Sequence, residues 1–153
     1  MEALMEKDVV ISIKGMQKYE HTDPDTIELV TQGRLIRDEA GYILTYVESE
    51  LTGLDGTLTT ILVEEGGEQV TMLREGEVNA QMVFQEGRRH LSMYNTPYGA
   101  MAVGVNTRHL IAELNDQGGD IEIDYSIEID HAIAGRNVFR IKVKEAEGFS
   151  LKQ

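Results

Sequence analysis

The sequence contains no cysteine and no tryptophan among its 153 residues, and it has only two prolines. The absence of cysteine excludes a disulfide framework, a thiolate nucleophile and a thiolate metal site. There is no run of 18 apolar residues, and the first residues, Met1 to Asp8, include several charges. Neither a membrane-spanning helix nor a signal peptide is therefore predicted, and we expect a cytoplasmic protein.

Positive charge is also scarce. Fourteen Lys and Arg residues stand against 27 Asp and Glu residues, which gives a formal net charge of −13. Proteins bind nucleic acids and anionic membranes through clusters of cations, so this charge argues against both kinds of partner. The composition, 41% hydrophobic and 27% charged, is that of a globular chain. We interpret residues 1–153 as one β-barrel domain, with a core of about 8–145 and a frayed tail at 146–153.

What the sequence has in abundance is alternation of apolar and polar residues. It is clearest in Ile27–Thr31, Val70–Leu73 and Ile121–Asp130. A period of two with turn residues every ~8–12 positions is typical of strands with one buried face. Such a meander removes its exposed edges by closing on itself. We therefore predict an all-β fold, a single closed or nearly closed antiparallel up-and-down β-barrel of about 8–10 strands.

Turn residues divide these predicted strands. Clusters of Gly, Pro, Asn and Asp predict turns at 21–25, 38–41, 53–56, 66–67, 75–76, 86–87, 95–99, 115–119 and at Gly135. The segment 108–114 is ambiguous, because it could form two turns of helix. The alternation of Leu110, Ala112 and Leu114 favours a strand.

Two carboxylates are candidates for chemistry. Glu48 and Glu50 share one face of a predicted strand with Tyr42 and Tyr46, because residues two apart point the same way. In an enclosed site, two such carboxylates could act as an acid and a base. The simpler interpretation is a solvated outer face, since charged residues are seldom buried without a partner.

Histidine and the common catalytic motifs give no comparable signal. His21, His90, His109 and His131 show no metal-ligand spacing, although His90 and His109 could meet across neighbouring strands. The sequence contains no G-x-S-x-G elbow and no glycine-rich phosphate loop. We therefore predict no metal, no cofactor and no enzymatic activity.

Arginine offers a candidate binding group. Arg74, Arg88 and Arg89 could form a cluster at the barrel mouth that holds a carboxylate or a phosphate. The alternative is ordinary surface pairing with the many glutamates.

The strand that follows Arg88 leaves its orientation open. One face carries His90, Ser92 and Tyr94, and the other carries Leu91 and Met93. Either face could point into the lumen.

Several short motifs resemble a known family. They are Tyr46-Val47-Glu48, Thr60-Ile61, Leu73-Arg74-Glu75-Gly76, Phe84, Tyr94-Asn95-Thr96-Pro97-Tyr98-Gly99 and Gly118-Gly119-Asp120-Ile121-Glu122-Ile123-Asp124-Tyr125. In this order and spacing, from about Val9 to Lys144, the chain resembles the YwiB-like family of small bacterial proteins. The resemblance implies a calycin-like (lipocalin-type) barrel in the cytoplasm, with no assigned function.

The same resemblance points to a set of site residues. They are Tyr46, Glu48, Thr60, Arg74, Tyr94 and Thr96. Secreted lipocalins typically carry G-x-W near the first strand, whereas this chain has Gly15-Met16-Gln17 there. That departure argues against a secreted transport role.

Two functions follow as expectations. In the first, the barrel binds a small anionic or amphipathic molecule in its lumen, with Arg74 meeting the charge and Tyr46, Tyr94 and Thr96 supplying hydrogen bonds. In the second, side chains fill the lumen and the barrel acts through protein contacts, as a homodimer or a docking partner. A weak enzyme that uses Glu48 and a histidine ranks last.

Overall fold

A computed structural model describes residues 3–18, 25–49 and 54–146 of the chain. These residues form ten strands that close into one antiparallel barrel. The strands are β1 (Met5–Lys18), β2 (Asp25–Asp38), β3 (Gly41–Val47), β4 (Leu58–Glu64), β5 (Val70–Glu75), β6 (Asn79–Phe84), β7 (Arg89–Thr96), β8 (Gly99–Asn115), β9 (Gly118–Ile129) and β10 (Ala132–Glu145).

Each strand pairs with its neighbour in sequence, and β1 also pairs with β10 to close the barrel. The predicted all-β, up-and-down barrel is therefore confirmed. The segment 108–114 belongs to β8, as its alternation favoured, and a register shift between Thr107 and His109 marks a bulge inside that strand. A bulge of this kind bends a long strand and increases its twist.

One predicted turn is wrong. Gly135 lies inside β10, beside a register shift that follows Ile133. The turn between β9 and β10 is made by Asp130 and His131, which have φ angles of 52° and 66°. Asp and His adopt this left-handed region more readily than most residues, so the turn forms without glycine.

Other predictions lie outside the described residues. They concern the turn around His21 to Pro24, Glu50, the start of the turn at Gly53, and the tail from residue 147 onward. Ala146 is described, and its N–H donates to the carbonyl of Asp8 at 3.0 Å.

One half of the lumen is packed with apolar side chains, and we call it the filled half. Its fully or almost fully buried residues are Val9, Ile11, Leu35, Leu44, Ile61, Val63, Val70, Met72, Met82, Phe84, Val105, Ile121, Ile123, Ile141 and Val143. At this end Asp116 accepts hydrogen bonds from Tyr42 at 2.7 Å and from Arg37 at 2.9 Å. The hydrogen bond from Tyr42 holds the pKa of Asp116 below its ordinary value.

The seam between β6 and β7 is the sparsest in the barrel. Among the described strands it is joined by two residue pairs, Asn79 with Asn95 and Ala80 with Tyr94. Every other neighbouring pair of strands shares five or more.

The described part of the chain has no helix with the length and apolar character needed to cross a bilayer.

Candidate functional site

The other half of the lumen is not filled, and we call it the hollow half. It contains a cavity of about 350 Å³. The cavity is lined by Ile13, Gly15, Met16, Gln17, Ile27, Leu29, Tyr46, Glu48, Leu54, Arg74, Tyr94, Met101, Val103, Tyr125, Ile127, Ile129, Ala134, Gly135, Asn137, Val138 and Phe139. A volume of this size lies at the lower end of the range for small-molecule sites.

Small residues help to leave this space. Gly15, Ala134 and Gly135 all line the cavity, and a Cβ added at Gly15 would lie 3.2 Å from the Phe139 ring. The aromatic rings of Phe84 and Tyr125 lie 4.8 Å apart between their centroids, and Phe139 follows at 6.1 Å from Tyr125. This row of rings runs from Phe84 in the filled half to Tyr125 and Phe139, which line the cavity.

Strand register places four polar side chains and one alanine side by side in a row, which we call the polar rung. It consists of Tyr46, Thr59, Arg74, Ala80 and Tyr94 on β3 to β7, each directly opposite the next. Side chains of directly opposed residues project from the same face of a sheet, so the whole rung faces the lumen. Glu48 follows Tyr46 by two positions and joins the same face.

Glu48 is the most deeply buried carboxylate of the site. Its side chain is only 2% exposed, and its Oε2 accepts a hydrogen bond from the Thr59 hydroxyl at 2.5 Å. Arg74 Nη2 lies 3.9 Å from the same oxygen, so the two charges attract each other without a hydrogen bond. Glu48 does not lie on a solvated outer face, and that simpler interpretation of its sequence position is wrong.

The two tyrosines of the polar rung are held in the neutral form. Burial raises the pKa of Tyr46 far above its ordinary value, and the negative charge of Glu48 raises it further. Burial also raises the pKa of Tyr94, while the Arg74 guanidinium opposes the shift. The Tyr94 hydroxyl donates to Met82 Sδ at 2.9 Å. The site therefore presents neutral phenols beside one carboxylate and one guanidinium.

Four of the six predicted site residues come together here: Tyr46, Glu48, Arg74 and Tyr94 all line the cavity. Thr60 lies on β4 between two inward-facing residues and points to the outer surface. Thr96 closes the β7–β8 turn, where its hydroxyl donates to the carbonyl of Gly99 and accepts from the N–H of Tyr98. Neither threonine borders the cavity.

Sequence reasoning missed some of the inward-facing polar groups. Thr59, not Thr60, faces the lumen, and the alternation of Thr59, Ile61 and Val63 carries that signal. Asn137 is buried and lines the cavity from β10. On β7, Ser92 and Tyr94 face inward, which settles the orientation that the sequence left open.

Arg74 and Arg89 do not form the hypothesised cluster, and Arg89 follows the alternative of pairing with a glutamate. Arg74 lies in the hollow half, whereas Arg89 pairs with Glu128 at 3.2 Å on the outer surface. His90 lies 3.3 Å from Gln85, and His109 lies 3.1 Å from Glu86, so the two histidines take different partners. Within the described ranges, no group of three metal-ligating residues comes together.

Comparison with solved structures finds the same fold in a bacterial protein. The crystal structure of the ywiB protein from Bacillus subtilis superposes with a TM-score of 0.82 and 19% sequence identity, over 94% of this chain and 95% of that one. At this level of identity the match supports the fold alone. Comparison with curated proteins gives no match.

The family comparison covers most of the chain. Residues 11–141, which run from β1 to β10 and include every cavity residue named above, match one protein family. The chain therefore belongs to the family described as a domain of unknown function, DUF1934.

Proposed function

We propose that the barrel binds a small amphipathic molecule in the hollow half of its lumen. The observation that carries this proposal is the unfilled cavity of about 350 Å³, which has apolar walls and one polar side. Protein interiors are ordinarily packed with few voids larger than a water molecule. A cavity of this size beside a fully packed half therefore supports a binding role.

The lining fits such a ligand. Apolar side chains from β1, β2, β8, β9 and β10 form most of the wall, and Tyr46, Glu48, Arg74 and Tyr94 form its polar side. Ligand sites are commonly built in this way, with an apolar wall that supplies affinity and a few polar groups that fix orientation.

The lining favours a binding role over catalysis by a serine or cysteine nucleophile. It contains no histidine, serine, cysteine or lysine among the described residues. A serine or cysteine nucleophile that is activated by a histidine or lysine base needs these groups within hydrogen-bond reach. His90 hydrogen-bonds to Gln85, and His109 lies 3.1 Å from Glu86. Neither histidine lines the cavity, so neither is placed to act with Glu48.

Native mass spectrometry of the protein as purified tests the proposal. We expect a reproducible extra mass on the wild-type chain. Val103→Phe fills the cavity from β8 and should abolish that mass, whereas Leu91→Phe adds the same ring on the outer face of β7 and should retain it. A bare mass for the wild type, together with no ligand-induced rise in thermal stability across a metabolite screen, would refute the proposal.

A second candidate is a homodimer that forms through an apolar groove outside the β6–β7 seam. The groove carries Leu73, Val83, Leu91 and Met93, of which Leu91 is 72% and Met93 54% exposed. These four residues carry no charge, and the two charged residues of the groove, Arg74 and Glu75, have opposite signs. Two strongly acidic chains would therefore repel each other little at this face. Sedimentation velocity checks it, because Met93→Glu should convert a dimer into a monomer.

A further inference from the structure

Arg74 has hydrogen-bonding capacity that the protein does not use. Its Nε is buried and has no hydrogen-bond partner among the described residues. The charged oxygen of Glu48 lies 3.9 Å from Nη2, beyond hydrogen-bonding distance. A guanidinium carries five N–H donors and no acceptor, and buried polar groups nearly always have partners. The missing partner of this site is therefore an acceptor.

Glu48, in contrast to Arg74, already has a hydrogen-bond partner in the protein. Its Oε2 already accepts a hydrogen bond from Thr59, and among the described residues no oxygen of Glu48 is both buried and without a partner. Glu48 thus has its partner within the barrel. The polar side of the cavity therefore offers unused donors more than unused acceptors.

The cavity also limits the size and charge of the ligand. At the ~30 Å³ that a water-sized group occupies in a liquid, about 350 Å³ holds roughly a dozen non-hydrogen atoms. The Glu48 charge near Arg74 disfavours a dianion such as a phosphate monoester, because like charges repel strongly where water is excluded. A planar, singly charged carboxylate suits the two-pronged geometry of a guanidinium.

We propose that the cavity binds a monocarboxylate with an apolar body of about ten carbons. The carboxylate receives hydrogen bonds from Arg74, and the hydrocarbon part lies against the apolar walls, which include Ile27, Leu29 and Ile127. This inference rests on the proposed function and narrows it to one chemical class.

Calorimetric titration with three probes of equal chain length tests the class. Decanoate should bind about tenfold more tightly than 1-decanol, and decylammonium should bind more weakly than both. Equal affinity for decanoate and decanol would overturn the proposal that the ligand is a carboxylate, but it would leave the proposal of lumen binding intact. No binding of any probe, together with a bare native mass, would overturn both proposals.

Two substitutions test the role of Arg74 in opposite directions. Glu48→Gln removes the negative charge beside Arg74 and keeps an acceptor for the Thr59 hydroxyl. Decanoate should therefore bind several-fold more tightly, whereas the affinity for decanol should stay unchanged. Arg74→Lys keeps the positive charge but loses the planar guanidinium, which can donate two parallel hydrogen bonds to a carboxylate. The affinity for decanoate should therefore fall about tenfold. Gln has nearly the shape of Glu, and Lys keeps the charge and about the length of Arg, so we expect both variants to fold.

An arginine on the outer surface supplies the matched control. Arg140 pairs with Glu122 at 3.4 Å and is 61% exposed, so Arg140→Lys should leave the affinity for decanoate as in the wild type. The proposal is overturned if Glu48→Gln weakens decanoate binding, or if Arg74→Lys and Arg140→Lys behave alike.

Discussion

The filled and hollow halves of the lumen are built on the same strands but packed differently. On β1, Ile11 is fully buried among apolar neighbours, whereas Ile13, two residues later, borders the cavity. On β8, Val105 and Val103 show the same contrast. Alternation thus decides which side chains point inward, while their size and polarity decide whether they meet across the lumen.

The largest expected effect comes from shortening the isoleucines of β1. Ile11→Ala should lower the free energy of unfolding by about 4 kcal/mol, because it removes buried methyl groups and opens a new void. Ile13→Ala should cost about 2 kcal/mol, since its side chain already borders empty space. Urea unfolding measures both, and equal losses would mean that the cavity is closed in solution.

Enlarging the valines of β8 should produce the next largest difference. Val105→Phe overpacks the filled half and should cost about 2 kcal/mol, whereas Val103→Phe enters the cavity and should cost less than about 1 kcal/mol. Thermal unfolding of the two variants gives the comparison. A larger loss for Val103→Phe would contradict the assignment of free space to its side of the lumen.

The polar side of the hollow half should make stability sensitive to alkali. The folded-state pKa of Tyr46 is raised, so its contribution is fully present below the unfolded pKa of about 10 and is lost as pH rises from there through the folded pKa. Tyr46→Phe should cost about 1 kcal/mol at neutral pH and should flatten the decline above pH ~10. Tyr94→Phe is the matched variant.

Tyr94→Phe should flatten that decline less, because no carboxylate adds to the effect of burial on the Tyr94 pKa as Glu48 does on the Tyr46 pKa. Denaturant unfolding at a series of pH values measures both slopes. A slope for Tyr46→Phe that matches the wild type would show that Tyr46 is accessible to solvent in the folded protein.

The smallest effects should come from ion pairs on the outside of the barrel, and they should not differ between the halves. Arg136 donates two hydrogen bonds to Asp124, at 3.1 and 2.8 Å, and Arg140 lies 3.4 Å from Glu122. Arg136→Ala and Arg140→Ala should each cost about 0.5 kcal/mol at low salt and less at high salt. A loss above about 2 kcal/mol would contradict a surface role.

The decline of stability in acid should report on the Asp124–Arg136 pair separately. The hydrogen bond from Arg136 lowers the pKa of Asp124, so the pair's contribution is present above the unfolded pKa of about 4 and is lost as pH falls through the folded pKa. In Arg136→Ala, the acid decline should therefore be shallower than in the wild type. An unchanged decline would mean that the pair does not persist in solution.

The fold was predictable because alternation and turn residues are local signals. Strand 108–114 followed from three alternating apolar residues. The Asp130–His131 turn was missed because Asp130 continues the alternation of 121–130 and has no Gly, Pro or Asn beside it to form a cluster. The site was only partly predictable. Glu48 seemed an exposed carboxylate because its partners, Thr59 and Arg74, reach it only through strand register. Emptiness of the lumen depends on distances across the barrel, which no local pattern encodes.

The closing pair of strands has a consequence for kinetics. Every other pairing joins chain neighbours, whereas β1 meets β10 through residues such as Lys7 and Glu145, which lie 138 positions apart. The entropy of closing so long a loop is lost before its contacts form, so we expect this step to come late in folding. The lumen has no complete wall until then. A lumen ligand should therefore slow unfolding and leave the folding rate nearly unchanged.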